Sequence, residues 1–235
     1  NHRLFMPYCP CGIMRMIKGG VFLKRLYASA LIGLFVISIF SGCGTETKVA
    51  EKEPAQTKIH ERSPEAARLI QEGGEAYGRF NYDRAVDLYS QALAIDENDY
   101  TALSGAGIAL AMRGNATGSQ SDIQEGIRKI EKALTVNPDD TASFYNLALA
   151  YKIAGRTDEA VTWFQKVIDK DPQNTWSYYG IASIYGDRGN AEKAVEYLQK
   201  AMDTDEENVR NAAASQSHFD AVRNDSRFRK LIYKE

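Results

Sequence analysis

The sequence predicts an all-α protein, a superhelix of about four helix-turn-helix repeats closed by a C-terminal capping segment. Three observations carry this. Residues of like character recur 34 apart, as Gly73 and Gly107, Tyr151 and Tyr185, Gly155 and Gly189, and Ala160 and Ala194 do. Within each period the apolar residues follow helical spacing, as in Phe144, Leu147, Ala148 and Tyr151. The breaks fall on residues that turn or stop helices, Gly155 and Pro172 among them. Two helices of about 13 residues and two turns need a period of roughly this length. One interval departs: Leu110 to Tyr151 and Ala92 to Ala133 are both 41. About seven residues are therefore inserted between Gly114 and Gly126, in NATGSQSDIQE, a stretch that reads as a polar loop.

The first 42 residues are set apart by charge. They hold five Lys/Arg and no Asp/Glu, while the chain has 29 basic and 31 acidic groups, so the remainder carries 24 basic against 31 acidic. An acidic remainder is a poor match for phosphates, and nucleic acid is not an expected partner. From Met16, a basic segment with Lys18, Lys24 and Arg25 leads into the uncharged apolar run Leu26 to Phe40, then Ser41, Gly42 and Cys43. This is the layout of a secretory signal. Phe40-Ser41-Gly42-Cys43 resembles the lipobox of bacterial lipoproteins, in which the Cys receives diacylglycerol and becomes the mature N-terminus. The resemblance implies lipid attachment at Cys43 and a repeat domain outside the cytoplasm, in the cell envelope. An uncleaved membrane helix over 26–45 and a plain cleaved signal are the alternatives. Residues 1–15 read as sequence upstream of a start at Met14 or Met16. Cys9 and Cys11 form C-x-C with no second ligand pair nearby, so no metal site is expected.

Residues 43–62 are polar, charged and poor in large apolar side chains, which predicts a disordered tether spanning about 25 Å. Ser63 and Pro64 then read as the N-cap and first residue of a helix. The repeat domain occupies 63–208, in units 66–99, 100–140, 141–174 and 175–208. In the unit around AGRTDEAVTWFQKVIDKDP, Gly155 sits in the turn, Ala160 is small where two helices cross, and Phe164 and Val167 share the buried face. The tail 209–235 alternates apolar residues such as Phe219, Val222 and Phe228 with Arg and Lys. It offers Asp225 and Ser226 as the start of a short last helix, and Phe219 and Phe228 are expected to pack on the last repeat as a cap.

The stretches 73–96, 145–172 and 179–205 resemble the tetratricopeptide repeat (TPR) family. The resemblance implies a right-handed α-α superhelix whose concave groove binds a protein or peptide. Departures are Phe80 at the usual turn Gly, Gly126 at the small crossing position, and Glu97 and Glu206 at the usual Pro. In that family the groove is lined by first-helix residues. Carried over, these are Ile70, Gly74 and Tyr77, then Ser104 and Ile108, then Tyr145, Asn146, Leu149 and Lys152, and finally Trp176, Tyr179 and Ser183. Tyr145, Trp176 and Tyr179 concentrate aromatics in the last two units, which suits a peptide anchor. The Lys/Asn set that clamps a C-terminal carboxylate in some members is missing.

No catalytic constellation is legible. His2, His60 and His218 are scattered, no Cys remains beside a His in the repeat region, and no G-x-S-x-G, Walker A or dinucleotide fingerprint occurs. Asp96 and Asn98 faintly follow a calcium loop but read as helix caps. The expected function is a membrane-anchored adaptor without enzymatic activity, cofactor or small-molecule substrate. The alternative is an accessory subunit of an envelope assembly machine, docking through the convex face or the inserted loop.

Overall fold

The computed structural model describes residues 62–235. Eight helices form four successive hairpins: α1 (Pro64–Gly78) with α2 (Tyr82–Ile95), α3 (Tyr100–Thr117) with α4 (Gln120–Val136), α5 (Thr141–Ile153) with α6 (Thr157–Lys170), and α7 (Thr175–Asp187) with α8 (Ala191–Ser215). A 3-10 stretch, Ser217–Val222, and a last helix α9 (Ser226–Tyr233) follow. Among the described residues there is no strand. Every α-helix start but that of α6 is capped by a side chain. The Ser63 hydroxyl accepts from the Ala66 N–H, and Asp99, Asp140, Asn174 and Asp225 serve as side-chain acceptors at later starts. The acidic residues at the junctions are thus occupied as caps, and the Asp96 carboxylate accepts from the Asn98 N–H within its turn.

The hairpins nest because small residues meet large ones at fixed places. The Tyr89 ring lies where a Cβ on Gly105 would stand 2.4 Å from it, and Phe164 meets Gly180 in the same way at 2.6 Å. These two contacts are one interlock repeated along the stack. Within the second hairpin, Gly107 and Gly126 face each other across the crossing of α3 and α4. A Cβ on Gly126 would stand 2.4 Å from the Gly107 carbonyl oxygen. Helix α3 is buried nearly all round because it is clamped by α2, α4 and α5 together.

Odd-numbered helices adjoin one another, α1 with α3, α3 with α5 and α5 with α7, whereas successive even-numbered helices do not pack to that degree. Crowding along one side and splaying along the other curves the stack, with the odd helices inside. The fold is the predicted all-α superhelix of helix-turn-helix units.

The inserted residues do not form a loop. Helix α3 continues through Asn115, Ala116 and Thr117, and α4 begins at Gln120, leaving only Gly118 and Ser119 between them. The insertion lengthens both helices by about one turn each, roughly 5 Å. Gly118 takes the left-handed conformation (φ 78°) that lets the chain reverse within two residues. At the corresponding turns Gly155 and Gly189 have φ 76° and 69°, but Phe80 adopts φ 60° despite its side chain, a conformation that costs about 1–2 kcal/mol. Its exposed ring leans edge-on against Tyr82, at 6.4 Å between centroids.

Helix α8 runs 25 residues with a kink at Asp205 (φ −154°, ψ 79°). Pro172 follows the end of α6, but Glu206 follows Asp205, so the helix resumes at once. The Asp205 carboxylate caps the new start by accepting from the Asn208 N–H. Phe219 and Phe228 are fully buried, with centroids 5.6 Å apart, and Phe219 also meets the Tyr179 ring at 5.7 Å. The expected packing of the tail on the last hairpin is therefore found. Arg210 secures it from α8 by donating to the Leu231 and Ile232 carbonyls at the end of α9.

Candidate docking face on the inner helices

The inner face is built by α1, α3, α5 and α7, and the residues singled out for it fall into two groups. Tyr77, Ser104, Ile108, Leu149 and Ser183 are buried. Tyr145, Asn146, Lys152, Trp176 and Tyr179 are half-buried. Cys43 lies outside the described residues, as do the stretch read in sequence as a secretory signal and nearly all of the stretch read as a tether.

Two hydrogen bonds tie neighbouring inner helices. Asn146 Nδ2 on α5 donates to Ser104 Oγ on α3 at 3.0 Å, and Lys152 Nζ on α5 donates to Ser183 Oγ on α7 at 2.7 Å. Side chains chosen separately for the groove are therefore paired across units, which fixes the spacing of the helices that carry them. The aromatics are fixed as well. Tyr145 packs edge-on against Phe164 at 5.7 Å, and Trp176 packs edge-on against Tyr179 at 5.5 Å. Trp176 and Tyr145 keep part of their rings open. The Tyr179 hydroxyl is enclosed without a hydrogen-bond partner, and its burial raises its pKa well above the usual phenol value.

The C-terminal cap contributes a residue that no sequence pattern marks. His218, in the 3-10 stretch, brings Nε2 to 3.3 Å from Lys152 Nζ and Nδ1 to 2.8 Å from Asp187. A carboxylate on Nδ1 and an ammonium on Nε2 suit the neutral ring with its proton on Nδ1. Burial pushes Lys152 down to about 8, with Asp187 opposing. Burial and then Lys152 lower His218, again against Asp187. Ser183 donates its own proton to the Gly180 carbonyl at 2.8 Å and does not touch His218. The set therefore lacks the nucleophile-to-base contact of a hydrolytic triad. Its physical work is to join α5, α7 and the cap. Sequence reading placed Lys152 and Ser183 on the inner face, but nothing in it pointed to Asp187 or His218, since the contact forms only when the tail folds back.

Residues 140–207 match the tetratricopeptide repeat family. Among solved structures, the chain is similar to MamA 41-end from Desulfovibrio magneticus RS-1, at 20% identity over 73% of this chain and 96% of that one, with a TM-score of 0.51. It is similar also to a double mutant of MamA RS-1, at 19% identity over 74% of this chain and 97% of that one, with a TM-score of 0.51. These likenesses concern the fold. No curated protein matches the chain.

Proposed function

We propose that this stack of helical hairpins is a protein-interaction scaffold that holds a partner's peptide segment along its inner face, and that a lipid on Cys43 anchors it in the cell envelope. The observation that supports the docking role is the cross-unit pairing of the inner helices. Asn146 with Ser104 and Lys152 with Ser183 hold half-open aromatics at a fixed spacing. A face that is already rigid loses little entropy when a partner binds, so more of the contact energy appears as affinity. The anchoring role rests on the sequence around Cys43 alone. Among the described residues no helix is long and apolar enough to cross a membrane.

Affinity capture from membranes tests the docking role. Trp176→Ala is expected to lose the captured partner while the protein stays folded, its Tm lowered only by the loss of the edge-on contact with Tyr179. Capture undiminished by this change would move the docking site elsewhere. Labelling cells with a clickable fatty acid tests the anchor. Label should appear on the wild type and vanish on Cys43→Ser; label on both, or on neither, would remove the anchor from the proposal.

A further inference from the structure

Comparing the hairpins with one another reveals a space that the later junctions fill and the first leaves open. Between α2, α3 and α4 lies a cleft of about 380 Å3. Leu93 and Leu103 form its apolar floor, and Lys129 and Lys132 stand at its edge. By the repeat spacing, Leu103 corresponds to Phe144 and then Tyr178, and Lys129 to Trp163 and then Tyr197. Lys132 corresponds to Lys166 and Lys200, so the lysine is kept throughout while the aromatics begin only at the second junction. There Phe144 and Trp163 pack at 5.4 Å, with Lys166 Nζ 3.6 Å from the Trp163 ring centroid. At the third, Lys200 Nζ stands 4.7 Å from the Tyr197 centroid. The fold thus displays twice, in its own side chains, what this position accommodates: an aromatic ring beneath an ammonium.

We propose that the first junction is a receptor for one aromatic side chain, supplied by an acidic segment of a partner protein. The cleft exceeds the volume of about 150 Å3 that suffices for benzene. Lys132 is placed to cover the incoming ring as Lys166 and Lys200 cover theirs; its Nζ now donates to the Glu97 carbonyl, at 3.1 Å. The acidic character of the partner follows from the rim. Three basic residues, Arg128, Lys129 and Lys132, line the cleft with two acidic ones, Glu97 and Glu125, and Glu125 alone serves Arg128 at 2.6 Å and Lys129 at 3.6 Å. The surplus positive charge sits on a molecule whose remainder is acidic. This site is separate from the inner face and does not depend on the function proposed for it.

Fluorescence anisotropy with the full-length protein tests the proposal, using a labelled peptide Asp-Glu-Trp-Glu-Asp and its counterpart with Ala in place of Trp. The Trp peptide should bind at least about tenfold more tightly, the factor that a well-buried ring readily supplies. Combining Leu103→Phe with Lys129→Trp copies the second junction into the first and should abolish this preference, while Trp176→Ala should retain it. Lys132→Gln, which leaves the cleft open, should reduce the preference about two- to fivefold. Equal binding of the two peptides would overturn the proposal. So would a preference that survives filling the cleft or, should the filled variant not fold, one that Lys132→Gln leaves intact. A preference lost with Trp176→Ala would place the peptide on the inner face and equally refute it.

Discussion

Lys152 is costly where it stands. Its ammonium is drawn out of water between α5, α7 and the cap, and its nearest carboxylate, Asp187, is reached only through the His218 ring. A folded pKa of about 8 against 10.5 means that the unfolded chain holds the proton more tightly. Stability from this site is therefore full above 10.5, falls as pH drops toward 8, and stays at its lower level at neutral pH. His218 is also lowered, so a second loss sets in as pH falls through 6.5 toward its depressed folded value. Lys152→Met removes the first penalty and relieves the second, since His218 keeps Asp187 and Ser183 keeps the Gly180 carbonyl. We expect this variant to melt higher than the wild type at pH 7, and its Tm to fall less between pH 7 and pH 5; a lower Tm at pH 7 would contradict the burial penalty. Helical spacing alone places Lys152 on the inner face. Its partner lies 66 residues away in a tail whose path no periodicity fixes.

At the scale of the helices, the second hairpin is the most tightly built. Gly107 and Gly126 let α3 and α4 approach until backbone meets backbone, and a Cβ on Gly126 would meet first the Gly107 carbonyl oxygen and the Ala111 nitrogen, which cannot yield as a flexible side chain can. Gly126→Ala should cost about 1–3 kcal/mol or more, several degrees of Tm. Gly78→Ala is the matched control, because a Cβ there meets nothing within 4 Å, and it should be neutral or mildly stabilising. Comparable losses in both variants would show that helix crossing is not what the glycines serve. The crossing itself was legible, since Gly126 falls where Ala160 and Ala194 recur. The lengthening of the hairpin was not. Asn115, Thr117, Gly118 and Ser119 are individually loop-favouring residues, and propensity is weak against a helix already propagating from a packed core. Arg113 reinforces the extension, donating Nε to Asp122 at 2.6 Å and reaching Asp83 of the preceding hairpin at 3.3 Å.

For the molecule as a whole, stability depends on covering the end of the stack. Phe219, Val222, Phe228 and Ile232 are buried in one cluster with residues of α8, among them Leu198 and Val209. Ending the chain after Gln216 would expose that surface, and we expect a lower melting temperature with aggregation on heating; an unchanged, reversible melt would deny the tail its capping role. This level was the most legible in sequence, because a 34-residue phase broken only once admits few other packings. The inner-face residues were legible as positions on a helix, whereas the open first junction emerged only when each hairpin could be set against the next.

The long hairpin α3–α4 also gives the array a direction and an origin. In a stack of equal units, sliding by one unit restores the same surface, so an elongated partner could settle in several equivalent alignments. Here the row of turns is interrupted by one step, about a helical turn high, beside the second unit only. Whatever lies along that edge has a single alignment in which the step is accommodated, so the insertion indexes the molecule much as a notch indexes a ruler.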